Sequence, residues 1–143
     1  ATPESEPETQ ALAALIRRQK IDIVAGAESR GFIFGTAIAQ ALCAGFVPIR
    51  KPNKLPSVKH SVEYALEYGT DKVEIHADAI TPGQRVLLVD DLLATGGTMK
   101  ACCELAAGMR ATIVGITVLI ELVSLKGRRA VEPFGHVHSV LQY

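Results

Sequence analysis

The chain has 143 residues with 15 basic and 15 acidic side chains, so its formal net charge is zero. This length is typical of a single domain over residues 1–143, and the balanced charge argues against a nucleic-acid-binding surface. No apolar run approaches the ~20 residues of a membrane span, and the acidic N-terminus is unlike a signal peptide. The three cysteines lack metal-site spacing, which favours reduced thiols in a cytoplasmic protein.

Alternating apolar segments predict strands and helices along the chain. A helix is expected to begin at Thr2, Pro3 and Glu4, where a capping hydroxyl, a proline and an acid suit the first turn. Further helices are predicted at residues 31–44 and 99–107, and strands at residues 21–25, 46–49, 85–90, 112–121 and 137–141. The segments 62–68 and 72–76 predict an exposed β-hairpin that turns at Gly69, Thr70 and Asp71.

Strands that alternate with helices predict an α/β fold with a mostly parallel, twisted sheet flanked by helices. In such folds, ligands bind outside the carboxyl ends of the strands. Three polar loops, at residues 28–35, 50–56 and 90–98, follow predicted strands. We therefore expect these loops to form one site.

The segment from Val86 to Thr98, VLLVDDLLATGGT, carries the strongest functional signal. Aliphatic residues of a buried strand lead to two adjacent carboxylates, Asp90 and Asp91, and then to a Gly-rich loop before a helix. Backbone N–H groups at a helix N-terminus attract an anion, and glycines allow a phosphate to approach the backbone closely. The two carboxylates can accept hydrogen bonds from ribose hydroxyls or hold Mg²⁺ through water.

Other interpretations of this segment fit less well. An ordinary capped turn needs one carboxylate and no glycine pair. A P-loop requires Gly-Lys-Ser/Thr after the glycines, and a dinucleotide fingerprint requires G-x-G-x-x-G, and neither is present. A sugar phosphate is therefore the predicted ligand.

The acidic pair followed by ATGGT resembles the signature of type I phosphoribosyltransferases, which bind 5-phosphoribosyl 1-pyrophosphate (PRPP). The segments ESRGFIFG, RKPNKLP and LEYG are similar to those of the adenine phosphoribosyltransferase family, and the resemblance covers essentially the whole chain. It implies the type I phosphoribosyltransferase fold with a mobile β-hairpin over the site, and synthesis of AMP and pyrophosphate from adenine and PRPP. It also implies a homodimer, with Mg²⁺ as a cofactor held mainly by PRPP and water rather than by direct protein ligands.

The resemblance assigns roles to individual residues. Those expected to bind PRPP or AMP are Asp90, Asp91, Ala94, Thr95, Gly96, Gly97 and Thr98. Those expected to bind pyrophosphate are Glu28, Ser29, Arg30, Arg50, Lys51 and Lys54; the alternative for the last three is a solvated basic turn. The loop at Glu28 and Ser29 corresponds to one that typically holds a non-proline cis peptide, and its backbone is expected to matter more than these two side chains.

The implied catalytic residues are Glu67, Tyr68 and Arg30. Glu67 and Tyr68 lie in the segment that resembles the mobile hairpin, which closes over PRPP and excludes water. Adenine attacks through N9, so a proton must leave the ring or move to N7, and Glu67 is suited to relay it. Leu92 is predicted to pack on the purine, with a plain core leucine as the alternative.

Three further points concern the N-terminal segment, a histidine pair and the alternative functions. Relatives carry an additional N-terminal segment that forms part of a hood over adenine, and this segment is expected to be absent here. His136 and His138 form an H-x-H pair without an evident third metal ligand, and are predicted to be structural. The alternative function is a PRPP-binding regulator or sensor on the same fold without turnover, because fold alone does not separate the two. A 6-oxopurine transferase is disfavoured because those enzymes lack LEYG.

Overall fold

The computed structural model describes residues 20–51, 59–66 and 69–143. Its strands are Ile23–Ala27 (β1), Gly45–Ile49 (β2), Lys59–Leu66 (β3), Gly69–His76 (β4), Arg85–Leu93 (β5), Thr112–Glu121 (β6) and Val137–Gln142 (β7). Its helices are Arg30–Leu42 (α1), Gly97–Gly108 (α2) and Gly127–Val131 (α3), with a 3₁₀ turn at Val123–Leu125. The helix predicted to begin at Thr2 lies outside the described residues.

Five strands form one parallel sheet in the order β2-β1-β5-β6-β7, and β3 pairs with β4 in a separate antiparallel hairpin. Helix α1 packs on one face of the sheet, where Val24, Ala39, Leu87 and Val89 are buried together. The larger core on the other face includes residues of α2, α3 and the hairpin, among them Ile75, Leu88, Met99, Cys103, Ile116 and Val131. The predicted α/β fold with helices on a parallel sheet is thus confirmed.

Two boundaries differ from the sequence prediction at places that shape the site. Strand β5 continues to Leu93, three residues beyond its predicted end, because the long strand β6 offers it hydrogen-bonding partners as far as Glu121. The predicted hairpin turn at Gly69, Thr70 and Asp71 is wrong, since these three residues belong to β4 and pair with β3. The strand predicted at residues 72–76 therefore begins three residues earlier, at Gly69.

None of the helices that the structure describes is long and apolar enough to span a membrane. Pro48 lies in β2, which is an edge strand of the sheet and therefore tolerates a residue without a backbone N–H group.

Candidate functional site

A cavity of about 350 Å³ lies beside the carboxyl ends of β1 and β5. Its position agrees with the general rule for ligand sites in open α/β sheets. Residues from all three predicted loops line it, namely Glu28, Ser29, Arg30, Lys51, Asp90, Asp91, Leu92, Leu93, Ala94, Thr95, Gly96, Gly97, Thr98 and Met99. The fold thus brings most of the residues predicted to bind phosphate, ribose and pyrophosphate to one cavity.

The phosphate loop, which we define as residues 94–98, runs from the end of β5 into the first turn of α2. Gly96 caps this helix with a backbone φ of 92°, a conformation that side chains rarely tolerate. The first N–H groups of an α-helix have no partner within the helix, so those at Gly97 and Thr98 are available to an anion. The loop therefore presents backbone donors to the cavity without an intervening side chain at Gly96.

The acidic pair has two distinct environments. Asp90 is only 9% exposed, and its Oδ1 accepts a hydrogen bond from the backbone N–H of Asp91 at 2.7 Å. Burial, with a further contribution from the neighbouring Asp91 carboxyl group, raises the pKa of Asp90 to about 7. Asp91 is more open, and its Oδ2 lies 3.0 Å from Nε of Arg30. Because the Arg30 side chain is exposed, this ion pair is weak and a ligand can displace it.

The raised pKa of Asp90 predicts a pH-dependent effect on stability. In the unfolded chain this pKa returns to about 3.9, so the folded chain binds the proton more tightly. The resulting stabilisation is complete below about pH 4 and is lost as the pH rises through about 7. Asp90→Asn keeps an acceptor for the Asp91 N–H group but does not ionise. We expect this variant to gain stability over the original chain between about pH 5 and pH 8.

Urea titrations at several pH values measure this difference in free energy of unfolding. Asp78→Asn, on an exposed turn, is the matched control for exchanging an aspartate for an asparagine away from the cavity. A pH-independent difference for Asp90→Asn would show that its carboxyl group is already ionised in the folded chain.

The pyrophosphate side of the cavity contains the loop at Glu28 and Ser29, whose connecting peptide bond is cis as the resemblance implied. Contrary to expectation, the Glu28 side chain has a definite structural part. Its Oε1 accepts hydrogen bonds from Nε of Arg50 at 3.1 Å and from the backbone N–H of Lys51 at 3.2 Å. Glu28 therefore connects the end of β1 to the start of the basic loop, which we define as the segment at residues 50–56.

The predicted cations do not all face the cavity. Lys51 lines it, and its Nζ donates a hydrogen bond to the Tyr64 hydroxyl at 2.6 Å while lying 5.3 Å from the centre of that ring. Arg50 lies outside the lining, paired with Glu28 and stacked 5.7 Å from the Phe32 ring centre. The guanidinium of Arg50 is thus paired with a carboxylate of the neighbouring strand end, and its contact with pyrophosphate stays a prediction.

The remaining predictions have mixed outcomes. Leu92 lines the cavity and is 36% exposed, so it is not a plain core leucine. His136 and His138 stack edge to face with ring centres 4.6 Å apart, and burial lowers the pKa of His138. Lys54, Glu67 and Tyr68 lie outside the described residues.

Sequence reasoning missed contacts between residues that are distant along the chain. Tyr64 and Glu28 were not recognised as partners of the basic loop, and the ion pair of Glu121 with Arg128 was not anticipated. The adjacent pair Lys126 and Gly127 carried no assigned chemistry. The available signal for the ion pair was an acid at the end of an apolar strand, where a buried charge requires a partner.

Comparison with known proteins gives the family. The chain matches the phosphoribosyl transferase domain family over residues 1–141. It is 62% identical over 125 residues to the adenine phosphoribosyltransferase of Rhodopirellula baltica, a match that covers 87% of this chain and 60% of that protein. The chain therefore spans somewhat more than half the length of this relative.

Solved structures show the same relationship. The adenine phosphoribosyltransferase of Thermoanaerobacter pseudethanolicus superposes with a TM-score of 0.89 and 44% identity, covering 97% of this chain and 80% of that one. The enzyme of Saccharomyces cerevisiae, solved with adenine and an imino-altritol bisphosphate, has a TM-score of 0.83 and 39% identity, covering 92% of this chain and 78% of that one. The resemblance seen in the motifs is thus confirmed, and the chain belongs to the phosphoribosyl transferase family.

Proposed function

We propose that this chain transfers the phosphoribosyl group of PRPP to adenine and so forms AMP and pyrophosphate. The observation that carries the proposal is a cavity lined by the phosphate loop, the acidic pair and the cations Arg30 and Lys51. PRPP carries matching groups, namely a 5′-phosphate, a ribose and a pyrophosphate. The names of the related proteins support adenine as the acceptor.

The 5′-phosphate binds at the phosphate loop. Backbone N–H groups at the start of α2, with the hydroxyl groups of Thr95 and Thr98, supply donors to its oxygens. Gly96 and Gly97 leave room for the phosphate to contact the backbone. The helix dipole adds a favourable interaction with the negative charge.

The ribose lies over the acidic pair. Asp91 accepts hydrogen bonds from the vicinal hydroxyls once it releases the exposed Arg30 side chain, and charge-assisted hydrogen bonds of this kind are among the stronger ones in proteins. Asp90 is held in place by the Asp91 N–H group and supports the conformation of the pair. Arg30, once released, is free to contact the pyrophosphate.

The pyrophosphate is the leaving group, and its developing charge must be stabilised in the transition state. Lys51 supplies one cation at this end of the cavity, oriented by Tyr64. Arg30 supplies a second from the start of α1. Lys54 is proposed to add a third.

The proposed cofactor is Mg²⁺. It would be held mainly by PRPP and water, and the oxygens of Asp90 and Asp91, which line the cavity, suit contacts with the ion through its bound water molecules. Within residues 20–51, 59–66 and 69–143, no cluster of three or more His, Cys, Asp or Glu side chains is able to hold a metal. When bound, the ion neutralises negative charge on the pyrophosphate.

The acceptor is proposed to bind against Leu92, whose exposed apolar side chain offers a surface for the flat purine ring. Glu67 and Tyr68 belong to the proposed mobile loop, with Glu67 relaying the proton released when N9 of adenine bonds to the ribose. Closure of this loop excludes water, which limits hydrolysis of PRPP.

We further propose that the protein acts in the cytoplasm as a homodimer. The unpaired thiols of Cys43, Cys102 and Cys103 are consistent with a reducing compartment. Light scattering on the purified chain measures its molar mass, and a monomer at micromolar concentration would contradict the dimer.

The test of the proposed function is AMP formation from adenine and PRPP in the presence of Mg²⁺, with hypoxanthine and guanine assayed in parallel. We expect AMP to form from adenine and no nucleotide to form from hypoxanthine or guanine. Turnover with hypoxanthine or guanine would contradict the assigned base. Binding of PRPP by calorimetry without any turnover would instead support a sensor on the same fold.

A further inference from the structure

A partly buried ion pair lies behind the phosphate loop, outside the cavity. Glu121 ends β6 with its side chain only 4% exposed, and Arg128 of α3 engages both of its oxygens, Nη2 to Oε1 at 2.6 Å and Nε to Oε2 at 3.1 Å. Ser139 also donates its hydroxyl to Oε1 at 2.9 Å. Nη1 of Arg128 donates to the backbone carbonyl of Val137 at 2.8 Å. One guanidinium thus joins α3 to both β6 and β7.

The start of α3 lies directly against the phosphate loop. A Cβ atom built on Gly127 would overlap the carbonyl oxygen of Ala94 and would lie 3.0 Å from the backbone nitrogen of Gly96. A Cβ atom on Gly96 would in turn lie 2.7 Å from the carbonyl oxygen of Gly127. The backbone N–H of Leu122 donates to the carbonyl of Leu93 at 2.9 Å, immediately before the loop. Backbone therefore meets backbone and the Cβ atom of Ala130 here, with no flexible side chain to absorb a shift.

The ion pair fixes the position of α3 relative to β6 and β7. Arg128 lowers the pKa of Glu121, so both groups stay charged at neutral pH. Two parallel hydrogen bonds between a guanidinium and a carboxylate fix distance and angle together. Because α3 has only five residues, its own helical hydrogen bonds contribute little to holding it in place.

We propose that Glu121 and Arg128 are positioning residues that, through Gly127, hold the phosphate loop in the conformation that binds the 5′-phosphate. Neither side chain lines the cavity, so both act through the loop backbone. This inference rests on the proposed function, since it concerns the phosphate end of the same site. Loss of the pair should therefore weaken binding of a 5′-phosphate selectively, without equal weakening at the pyrophosphate end.

Two variants test the proposal from different sides. Arg128→Lys retains the charge but loses the two-pronged contact with Glu121. Gly127→Ala leaves the ion pair intact but displaces the loop, because its new Cβ meets the Ala94 carbonyl. Gly108→Ala is the matched control, since a Cβ atom there meets nothing within 4 Å.

Calorimetry on the full chain with AMP, and separately with pyrophosphate and Mg²⁺, gives the readout. We expect both variants to lose about tenfold or more in AMP affinity, with pyrophosphate affinity and the Gly108→Ala control unchanged. Amide hydrogen exchange should also accelerate at residues 94–98 but not in β1. If Arg128→Lys does not fold, Glu121→Gln, which removes the negative charge of the pair but keeps one acceptor oxygen for Arg128, replaces it in the same titrations.

Results that contradict the positioning role can be distinguished from a result that contradicts the proposed function. Variants that bind AMP as tightly as the original chain, or that lose AMP and pyrophosphate affinity equally, would overturn the positioning role. An original chain that does not bind AMP at all would contradict the proposed function, and the inference with it.

Discussion

Replacing Glu67 with glutamine is expected to lower the turnover of adenine and PRPP by about 10²- to 10⁴-fold, with little change in PRPP affinity. Glutamine has nearly the same shape as glutamate but cannot accept the proton that adenine releases. The proposed PRPP-binding groups are the phosphate loop and the acidic pair, and this substitution leaves them intact. Steady-state kinetics gives kcat, and calorimetry with PRPP gives the dissociation constant.

Glu63→Gln is the matched control for this experiment. Glu63 lies in β3 of the same hairpin, its side chain is 67% exposed, and its Oε1 lies 3.9 Å from Nζ of Lys72. It should therefore retain full turnover. Equal losses of turnover and PRPP affinity in Glu67→Gln would indicate that Glu67 shapes the loop and does not transfer a proton.

Replacing Asp91 with asparagine is expected to weaken AMP binding by about 10- to 100-fold, the loss associated with hydrogen bonds to a charged group. Asp91 lines the cavity, and its only ion pair in the described part of the chain is with the exposed Arg30 side chain. Its carboxylate is thus available to the ribose hydroxyls. Calorimetry with AMP measures the change.

An AMP analogue without the two ribose hydroxyls separates the proposed contact from indirect effects. Asp91→Asn should bind this analogue about as well as the original chain does, because the lost acceptor no longer has a partner. Equal weakening for AMP and the analogue would show that Asp91 acts by holding Arg30 and not by binding the ribose. Asp78→Asn, on an exposed turn, should leave both affinities unchanged.

Local chemistry made the phosphate end of the site predictable. Within thirteen residues, the sequence runs from an aliphatic segment to Asp90 and Asp91 and then to the glycines Gly96 and Gly97. This order indicates a strand, its carboxyl end and the start of a helix. Each of these signals acts over a few neighbouring residues, so it can be read without knowing the fold. The structure places all of them in one cavity.

The basic loop was less predictable because its contacts are not local. Arg50 is predicted to bind pyrophosphate, and the structure adds a partner that the sequence did not reveal, Glu28, which is 22 residues earlier. Charge alone does not reveal which partner a guanidinium will meet. That outcome depends on β1 and β2 being neighbours in the sheet.

Strand boundaries also depend on contacts that are not local in the sequence. The end of β5 was predicted at Asp90 because the aliphatic run stops there, but hydrogen bonding to β6 extends it to Leu93. A polar residue such as Asp90 fits within a strand when the neighbouring strand continues beside it. Periodicity reports which face is buried, whereas the length of a strand depends on its partner.

By itself, the sequence determined the α/β class and the Gly-rich loop before a helix, because hydrophobic period and turn chemistry are local properties of the chain. Its short motifs carried the resemblance to the family. The tertiary structure alone decided which charges meet. It placed Lys51 against Tyr64, Glu28 against Arg50, and the Glu121–Arg128 pair behind the phosphate loop. These contacts join separate strands, helices and loops, so they exist only once the sheet has brought those elements side by side.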